Sequence, residues 1–306
     1  MKPGAREFVF GMEPVEQVLY GETSPAPAIA NAYLNAEARI EEIHSLHAAG
    51  NYRDLLKAAS SLGESGYPLS IRQCLVLTIM LRAVVPGYPN PVLAFDLEPL
   101  GPLLQSMWNN AMKRDDERLQ NHIASVYFRW FEHGKRYEDA RRILAKTIEN
   151  CRSHDDRGGE AYALNNFAFE YMLERRWQEA MPLFEAAAEA FRGQTHAVEC
   201  ANSRANYWLC RLECGDVIDL EEAEREVIEL KDILCQSGSG WHARKPYVIL
   251  ARIEEARGNW AEAVRFAEQA VNCGQGSDTR YPEEDLRYLE HLKKTAKPEL
   301  AHRGRS

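Results

Sequence analysis

The sequence predicts an all-α protein built from stacked antiparallel helix pairs, and three observations support this prediction. From about residue 32 onward, Ala, Leu, Glu and Arg dominate, and apolar residues recur at helical spacing. Runs of strictly alternating β-branched residues, which would predict strands, do not occur in the sequence. A short phrase that joins a turn to a helix start recurs about every 40 residues, and such a fixed period is the signature of a stacked helical array.

The recurring phrase consists of a turn, an aromatic residue or Leu, any residue, an acid, and a small or apolar residue. Its copies are Tyr52-Arg53-Asp54-Leu55, Tyr137-Glu138-Asp139-Ala140, Trp177-Gln178-Glu179-Ala180, Leu220-Glu221-Glu222-Ala223 and Trp260-Ala261-Glu262-Ala263. The copies end at positions 55, 140, 180, 223 and 263, so the intervals are 85, 40, 43 and 40 residues. Because the first interval is about twice the others, one copy has diverged beyond recognition, and we place it near Phe95-Asp96-Leu97-Glu98.

Each part of the phrase has a physical role where two helices meet. Gly50, Gly134 and Gly258 precede three of the copies, and a Gly there can end the preceding helix in a left-handed cap. The acid falls in the first turn of the next helix, where the helix dipole favours negative charge. The aromatic residue is expected to fill the gap between two helices, and the final small residue lets their backbones approach closely. A single pair cannot bury its apolar face, so neighbouring pairs stack.

These signals divide the chain into an irregular N-terminal arm (1–31), a helical solenoid (32–296) and a flexible polar tail (297–306). The predicted pairs are 35–48 with 51–62, 69–84 with 93–113, 116–133 with 136–152, 158–174 with 177–192, 196–214 with 219–236, and 241–257 with 260–273. A last helix at 282–295 is expected to cap the array. The second pair, within 64–115, is degenerate, and the loop signal from Pro86 to Pro91 predicts a break in it.

The fourth and sixth pairs carry a family resemblance. The fourth pair shows it through Leu164, Phe167, Ala168, Tyr171, Ala180, Phe184 and Ala187, and the sixth through Tyr247, Leu250, Ala251, Gly258, Trp260, Ala263 and Ala270. These positions resemble the tetratricopeptide repeat (TPR) family over roughly residues 35–275. The common TPR unit has about 34 residues; the longer period here is similar to the long-helix variety of kinesin light chains and of bacterial peptide-sensing regulators of the Rap kind. The resemblance implies a right-handed superhelical solenoid of about six pairs.

In the TPR family the first helix of each pair lines a concave groove, so the resemblance also implies which side chains would face a partner. The expected groove residues are His122, Ser125, Arg129, Tyr162, Asn165, Phe169, Asn202, Lys245 and Arg252. The same stripe contains Glu132, Met172, Ala205, Leu209, Val248 and Glu255. Asn can pair with the N–H and the C=O of an extended peptide, Arg can bind a carboxylate, and aromatic rings offer apolar anchors. The alternative is a solvated helix face that carries a few stray aromatic residues.

The charge balance restricts the class of partner. The chain of 306 residues carries a formal net charge of -9, whereas binding to nucleic acid usually needs a basic face. We therefore expect another protein or an extended peptide, acidic or with a free C-terminus, and no nucleic acid. The sequence contains no apolar run of about 18 residues and no signal-peptide pattern. We therefore expect a cytoplasmic location and no membrane insertion.

No metal or cofactor is expected. Seven cysteines in a long chain favour reduced thiols over a disulfide framework. His44 and His47 could share one helix face, as could Cys210 and Cys214, but no further ligand completes a recognised metal spacing. Buried thiols that act as small apolar side chains are the simpler interpretation for the cysteine pair.

Three classes of function are compatible with the sequence. The first, which we favour because helical superhelices build extended concave binding surfaces, is a non-catalytic protein- or peptide-binding scaffold or adaptor. The second is a peptide-responsive regulator of the Rap-like kind, in which a bound peptide changes the superhelix. The third is an enzyme on an α-solenoid, which would need clustered titratable groups in the groove. Only His122, Glu132 and His133 come near that requirement, and their spacing matches no familiar mechanism, so no catalytic residue is assigned.

Overall fold

The computed structural model of the chain describes residues 27–67, 69–82, 84–85, 96–193, 196–215, 219–274 and 281–303. Within these ranges the chain forms thirteen α-helices and a short 3-10 helix, Glu98–Leu100, and no β-strand. The helices are α1 (Pro27–Ala48), α2 (Tyr52–Ser65), α3 (Ile71–Leu81), α4 (Gly101–Lys113), α5 (Glu117–His133), α6 (Tyr137–Ser153), α7 (Arg157–Leu173), α8 (Trp177–Phe191), α9 (Ala197–Cys214), α10 (Leu220–Gln236), α11 (Gly240–Ala256), α12 (Trp260–Gly274) and α13 (Tyr281–Arg303). The predicted all-helical fold is confirmed.

The helices follow the predicted pairs, but three boundaries differ from the prediction. The helix predicted at 93–113 begins only at Gly101, after the 3-10 helix Glu98–Leu100, and two outer boundaries also differ. Helix α1 begins at Pro27, inside the stretch 1–31 that the sequence assigns to an irregular arm. Pro suits a first helical position because an N–H at that position has no intrahelical acceptor, so its absence in Pro costs no hydrogen bond. Helix α13 continues to Arg303, although 297–306 is predicted to be a flexible tail. The Ala, Glu and Leu residues of this stretch favour helix, and a polar composition alone does not end a helix. Residues 1–26 and the predicted break from Pro86 to Pro91 lie outside the described ranges.

The recurring phrase marks helix starts, as predicted. Five helices begin at the first residue of a copy, and these residues are Tyr52, Tyr137, Trp177, Leu220 and Trp260. The last residue of each copy is completely buried, and these residues are Leu55, Ala140, Ala180, Ala223 and Ala263. Four of the five are Ala, whose small side chain lets neighbouring helix backbones approach closely. The phrase therefore combines a local start signal with a packing position.

Capping interactions explain where the helices begin and end. The Asn51 side chain accepts a hydrogen bond from the Asp54 N–H at the start of α2, which satisfies a donor that the helix itself cannot pair. The turn before α12 uses Gly258 in the left-handed region, at φ 75°, as the phrase predicts. In the turn before α6, the left-handed residue is Lys135, at φ 56°, rather than Gly134. A Gly in the phrase thus does not always mark the left-handed position.

Contacts group the described residues into two compact units. The first contains the described residues up to 85 together with 96–130, and the second contains the described residues from 131 onward. The boundary between them falls in the last turn of α5.

The first unit has its own aromatic core. Trp130 Nε1 donates a hydrogen bond to the Leu97 carbonyl oxygen at 2.7 Å, and the Trp130 ring lies 6.0 Å from the Tyr127 ring, centroid to centroid. Helices α2 and α4 approach so closely that a Cβ atom at Gly63 would lie 2.5 Å from the Leu103 backbone nitrogen. Gly63 is therefore required by packing rather than by backbone conformation.

In the second unit, each helix from α6 to α13 packs against the next one along the chain. The first helices α9 and α11 of consecutive pairs also contact each other. Phe184 and Trp208 are among the largest fully buried side chains of this unit. This arrangement brings one face of the first helices together and so positions the candidate site.

Candidate binding cleft

Three of the predicted groove residues lie on α5 in the first unit. The Arg82 guanidinium joins two of them, because its Nε donates to Ser125 Oγ at 2.9 Å and its Nη2 lies 3.5 Å from His122 Nδ1. Burial, followed by the charge of Arg82, lowers the pKa of His122. The third residue, Arg129, places its guanidinium 4.5 Å from the centroid of the Phe128 ring. Arg82 is not among the predicted groove residues, although it lies one repeat interval, 40 residues, before His122.

The other six predicted residues lie in the second unit, on the first helices α7, α9 and α11. At one end of this face, the Tyr162 hydroxyl donates to Glu199 Oε1 at 2.9 Å, and burial together with this contact raises the pKa of Tyr162 to about 12. Beside it, Ser203 Oγ donates to Asn165 Oδ1 at 3.0 Å. Asn165 Nδ2 has no acceptor among the described residues, so its two N–H groups are available to a ligand.

A cleft of about 510 Å³ is present in the second unit. Its walls include Met172, Leu209, Val248 and Arg252, all members of the predicted stripe. The wall residues outside the predicted stripe are Leu173, Arg175, Trp177, Glu213, Arg244, Glu284, Asp285, Arg287 and Tyr288. Four arginines and three carboxylates therefore line the cleft, and a fourth carboxylate, Glu255, contacts Arg252 beside it.

A narrower recess adjoins the cleft and shares Met172, Leu209 and Val248 with it. The other apolar side chains of the recess are Phe169, Ala205, Trp241 and Ile249. Its polar atoms come from Asn206, Arg244 and Lys245. The recess thus combines largely apolar walls with a small number of polar groups, which is the usual composition of a ligand site.

Lys245 is buried and reaches the neighbouring helix α9. Its Nζ atom donates to Asn202 Oδ1 at 2.5 Å and to Asn206 Oδ1 at 3.0 Å, and it lies 5.2 Å from the centroid of the Trp241 ring. Burial, with a smaller effect of the Arg244 charge, lowers the pKa of Lys245 to about 7. The predicted groove residues Asn202 and Lys245 therefore contact each other directly.

Arg244, next to Lys245, forms a buried ion pair with the capping helix α13. Its Nη1 atom lies 2.8 Å from Asp285 Oδ1 and 2.9 Å from Asp285 Oδ2. The two side chains are only 6% and 8% exposed. Burial raises the pKa of Asp285, and the charge of Arg244 opposes this effect only in part. This pair fixes one wall of the cleft.

The predicted groove residue Arg252 is held by a network of its own. Its guanidinium lies 3.0 Å from Glu213, 3.4 Å from Glu255 and 4.0 Å from the centroid of the Tyr288 ring. The Tyr288 hydroxyl donates to Glu255 Oε2 at 2.7 Å. Because two carboxylates already compensate the charge of Arg252, this residue shapes the cleft more than it offers an unpaired cation.

The described residues contain no cluster of three or more His, Cys, Asp or Glu side chains that could hold a metal ion. All seven cysteines are free thiols, and burial raises the pKa of Cys210 to about 12, so this thiol stays protonated at neutral pH. Over the described part of the chain, none of the helices combines the length and the apolar character needed to cross a membrane.

The stacked helix pairs and their repeat interval define the class of protein: the fold is that of a TPR-like α-solenoid, and the predicted resemblance is confirmed. BtubC (BKLC) from P. vanneervenii is similar in structure, with a TM-score of 0.53 and 16% identity over 81% of this chain and 91% of that one. A STAND protein (signal transduction ATPase with numerous domains) with a tetratricopeptide repeat sensor, from Pyrococcus horikoshii, gives a TM-score of 0.59 and 14% identity. That match covers 87% of this chain and 40% of the STAND protein. No protein-family model matches the chain, and neither does any curated protein sequence.

Proposed function

We propose that the chain is a non-catalytic scaffold or adaptor in the cytoplasm that holds an extended segment of another protein in the cleft of the second unit. One observation carries this proposal. Met172, Leu209 and Val248 come from three successive first helices, and all three line the same cleft and its recess. The resemblance to TPR proteins selected these residues by their position in the repeat, and TPR-like arrays use this face of the first helices as an extended binding surface.

The chemistry of the cleft favours a peptide that is both apolar and anionic. The apolar walls of the recess suit a single side chain of the partner. The Asn165 Nδ2 group can donate to a carbonyl oxygen of an extended backbone. The arginines that line the cleft can bind an acidic side chain or a terminal carboxylate. A nucleic acid partner is disfavoured because the chain as a whole is acidic.

The test is affinity capture with the full chain, followed by calorimetry with the captured partner. In Val248→Glu a bulky carboxylate replaces a half-buried apolar side chain of the cleft, and it should weaken binding of an anionic peptide at least about tenfold, which is about 1.4 kcal/mol. Ile228→Glu is a matched control, since Ile228 is an exposed apolar residue, 43% accessible, on the second helix α10. If Val248→Glu binds normally while Ile228→Glu loses the partner, the cleft is not the site.

The α5 residues His122, Ser125 and Arg129 form a second candidate surface, within the first unit. Arg129→Glu tests it, because loss of a charge-assisted hydrogen bond should weaken partner binding by about 1–3 kcal/mol. Folding should change by no more than about 0.5 kcal/mol, as for most substitutions at the protein surface. Unchanged binding would remove this surface from the proposal.

A peptide-responsive regulator is the second candidate function. The STAND protein that shares this fold carries its TPR region as a sensor, and the same cleft would serve as the sensor here. This candidate requires that a bound peptide alter the helix array. Hydrogen exchange should then change far from the cleft when peptide binds, whereas a scaffold should gain protection only around it.

A further inference from the structure

Lys245 is a cation of the recess for which the described residues provide no acidic partner. The other cation of the recess, Arg244, is paired with Asp285, and Arg252 of the adjoining cleft is paired with Glu213 and Glu255. Among the described residues, Lys245 has two hydrogen-bond acceptors, and both are neutral amide oxygens, from Asn202 and Asn206. A buried ammonium that is hydrogen-bonded but not neutralised keeps most of its desolvation cost.

The groups around Lys245 do not supply the missing charge. On its own helix α11, Arg244 repels the ammonium, and partial burial lowers the pKa of His242 to about 4, so this residue is neutral. On α9, Cys210 is a protonated thiol. From α13, the Asp285 carboxylate is engaged by Arg244. The residues that α7 contributes to the recess, Phe169 and Met172, are apolar.

The Trp241 ring favours the charged form of Lys245, because the Nζ atom lies 5.2 Å from its centroid. A cation–π contact is worth less than the cost of full burial. The balance therefore favours the neutral amine at and above neutral pH, and the burial of Lys245 lowers its pKa to about 7. An anion in the recess would reverse this balance, since an opposite charge stabilises the ammonium.

We propose that Lys245 makes anion binding in this recess proton-linked: a carboxylate of the ligand takes the place of the missing counter-charge and is held by the ammonium form. The inference rests on the proposed function and adds a means of regulating it. The sign follows from the chemistry of the amine. The binding-competent form is the protonated one, so binding should be tightest below neutral pH and should weaken as pH rises. Above neutral pH, each binding event should take up one proton.

The probe for the experiment is butyrate, which has a carboxylate and a short apolar tail, and butyramide serves as its neutral analogue. NMR of the Lys245 side chain in the full chain should show titration near pH 7, and saturating butyrate should move the midpoint upward. If only the ammonium form binds, the Kd for butyrate should weaken about 30-fold between about pH 6 and about pH 8.5, in proportion to the protonated fraction. Butyramide should bind equally at both pH values.

Three variants make the result specific. Lys245→Met should lose the pH-dependent binding, whereas Lys293→Met, at an exposed lysine of α13, should keep it. Asn206→Asp supplies a carboxylate beside Lys245 and should abolish butyrate affinity, so it tests the inference even if Lys245→Met folds poorly. Equal pH dependence for butyrate and butyramide, or no upward movement of the midpoint, overturns the inference. Either result leaves the proposed peptide-binding function standing, because that function is tested by capture of the partner and by Val248→Glu.

Discussion

The buried ion pair between Arg244 and Asp285 allows a quantitative test of how the capping helix is held. Arg244 Nη1 lies 2.8 and 2.9 Å from the two carboxylate oxygens, and both side chains are almost fully buried. Asp285→Asn keeps the shape of the side chain but removes its charge, and Arg244 cannot release its proton. Loss of one partner from a buried pair costs about 3–5 kcal/mol, because the other charge stays buried without compensation. We expect Asp285→Asn to lower the free energy of unfolding by about that amount.

The assay is urea denaturation followed by far-ultraviolet circular dichroism, with the midpoint and slope fitted for each variant. The same capping helix offers a matched control, because Lys293 Nζ lies 2.7 Å from Glu268 Oε1 and both side chains are about half exposed. Solvent screens this pair, so Glu268→Gln should cost less than about 1 kcal/mol. Hydrogen exchange should show that Asp285→Asn opens α13 before the rest of the second unit.

A double variant separates the loss of attraction from the cost of a buried charge. Arg244→Met combined with Asp285→Leu removes both charges and fills the site with apolar atoms. It should recover most of the stability that Asp285→Asn loses, because apolar replacement of a buried pair is often neutral or stabilising. If Asp285→Asn lowers the free energy of unfolding no more than Glu268→Gln does, the ion pair is effectively solvated and the predicted cost of an uncompensated buried charge is wrong.

Three further predictions concern the core, the helix contacts and the pH dependence of folding. Phe184→Ala should cost about 3–5 kcal/mol in urea denaturation, since Phe184 is completely buried, and a loss below about 1 kcal/mol would contradict its place in the core. Gly63→Ala should destabilise the first unit by about 1–3 kcal/mol, because the clash of the new Cβ atom with Leu103 outweighs the higher helix propensity of Ala. The control Gly134→Ala should be close to neutral, because the nearest atom to its Cβ lies at 3.6 Å. In the folded protein the pKa of Lys245 is about 7, below its ordinary value of 10.5, so above pH 7 the unfolded chain binds one more proton than the folded chain. The free energy of unfolding of the wild type should therefore rise relative to that of Lys245→Met by at most about 1.4 kcal/mol per pH unit above pH 7. A difference that is independent of pH would contradict the last prediction.

Much of the fold could be predicted because its signals are local and repeated. Helices α2, α6, α8, α10 and α12 begin where an aromatic residue or Leu follows a turn and precedes an acid, and these preferences act within one helical turn. The predicted outer boundaries differ from the helix ends at Pro27 and Arg303 because these local signals are missing there. Neither end carries a repeat copy, so composition alone had to place the boundary.

The site was predictable only in part. The resemblance to TPR proteins implied the stripe that includes Phe169, Leu209 and Val248, because the first helices of successive pairs present equivalent faces. It did not identify Asp285 or Tyr288, because they come from the capping helix, which carries no copy of the phrase. Nor could it show that Arg252 is already neutralised while Asn165 keeps free donors.

The sequence by itself therefore determined the helical class and the period of about 40 residues, because periodicity and capping act over a few neighbouring residues. Only the tertiary structure decided which charges are compensated. Lys245 donates hydrogen bonds to Asn202 and Asn206, which lie about 40 residues earlier in the chain. Arg244 forms an ion pair with Asp285, which lies 41 residues later. Such pairings depend on how separate helices pack, and that packing determines whether a buried cation meets a carboxylate or a neutral amide.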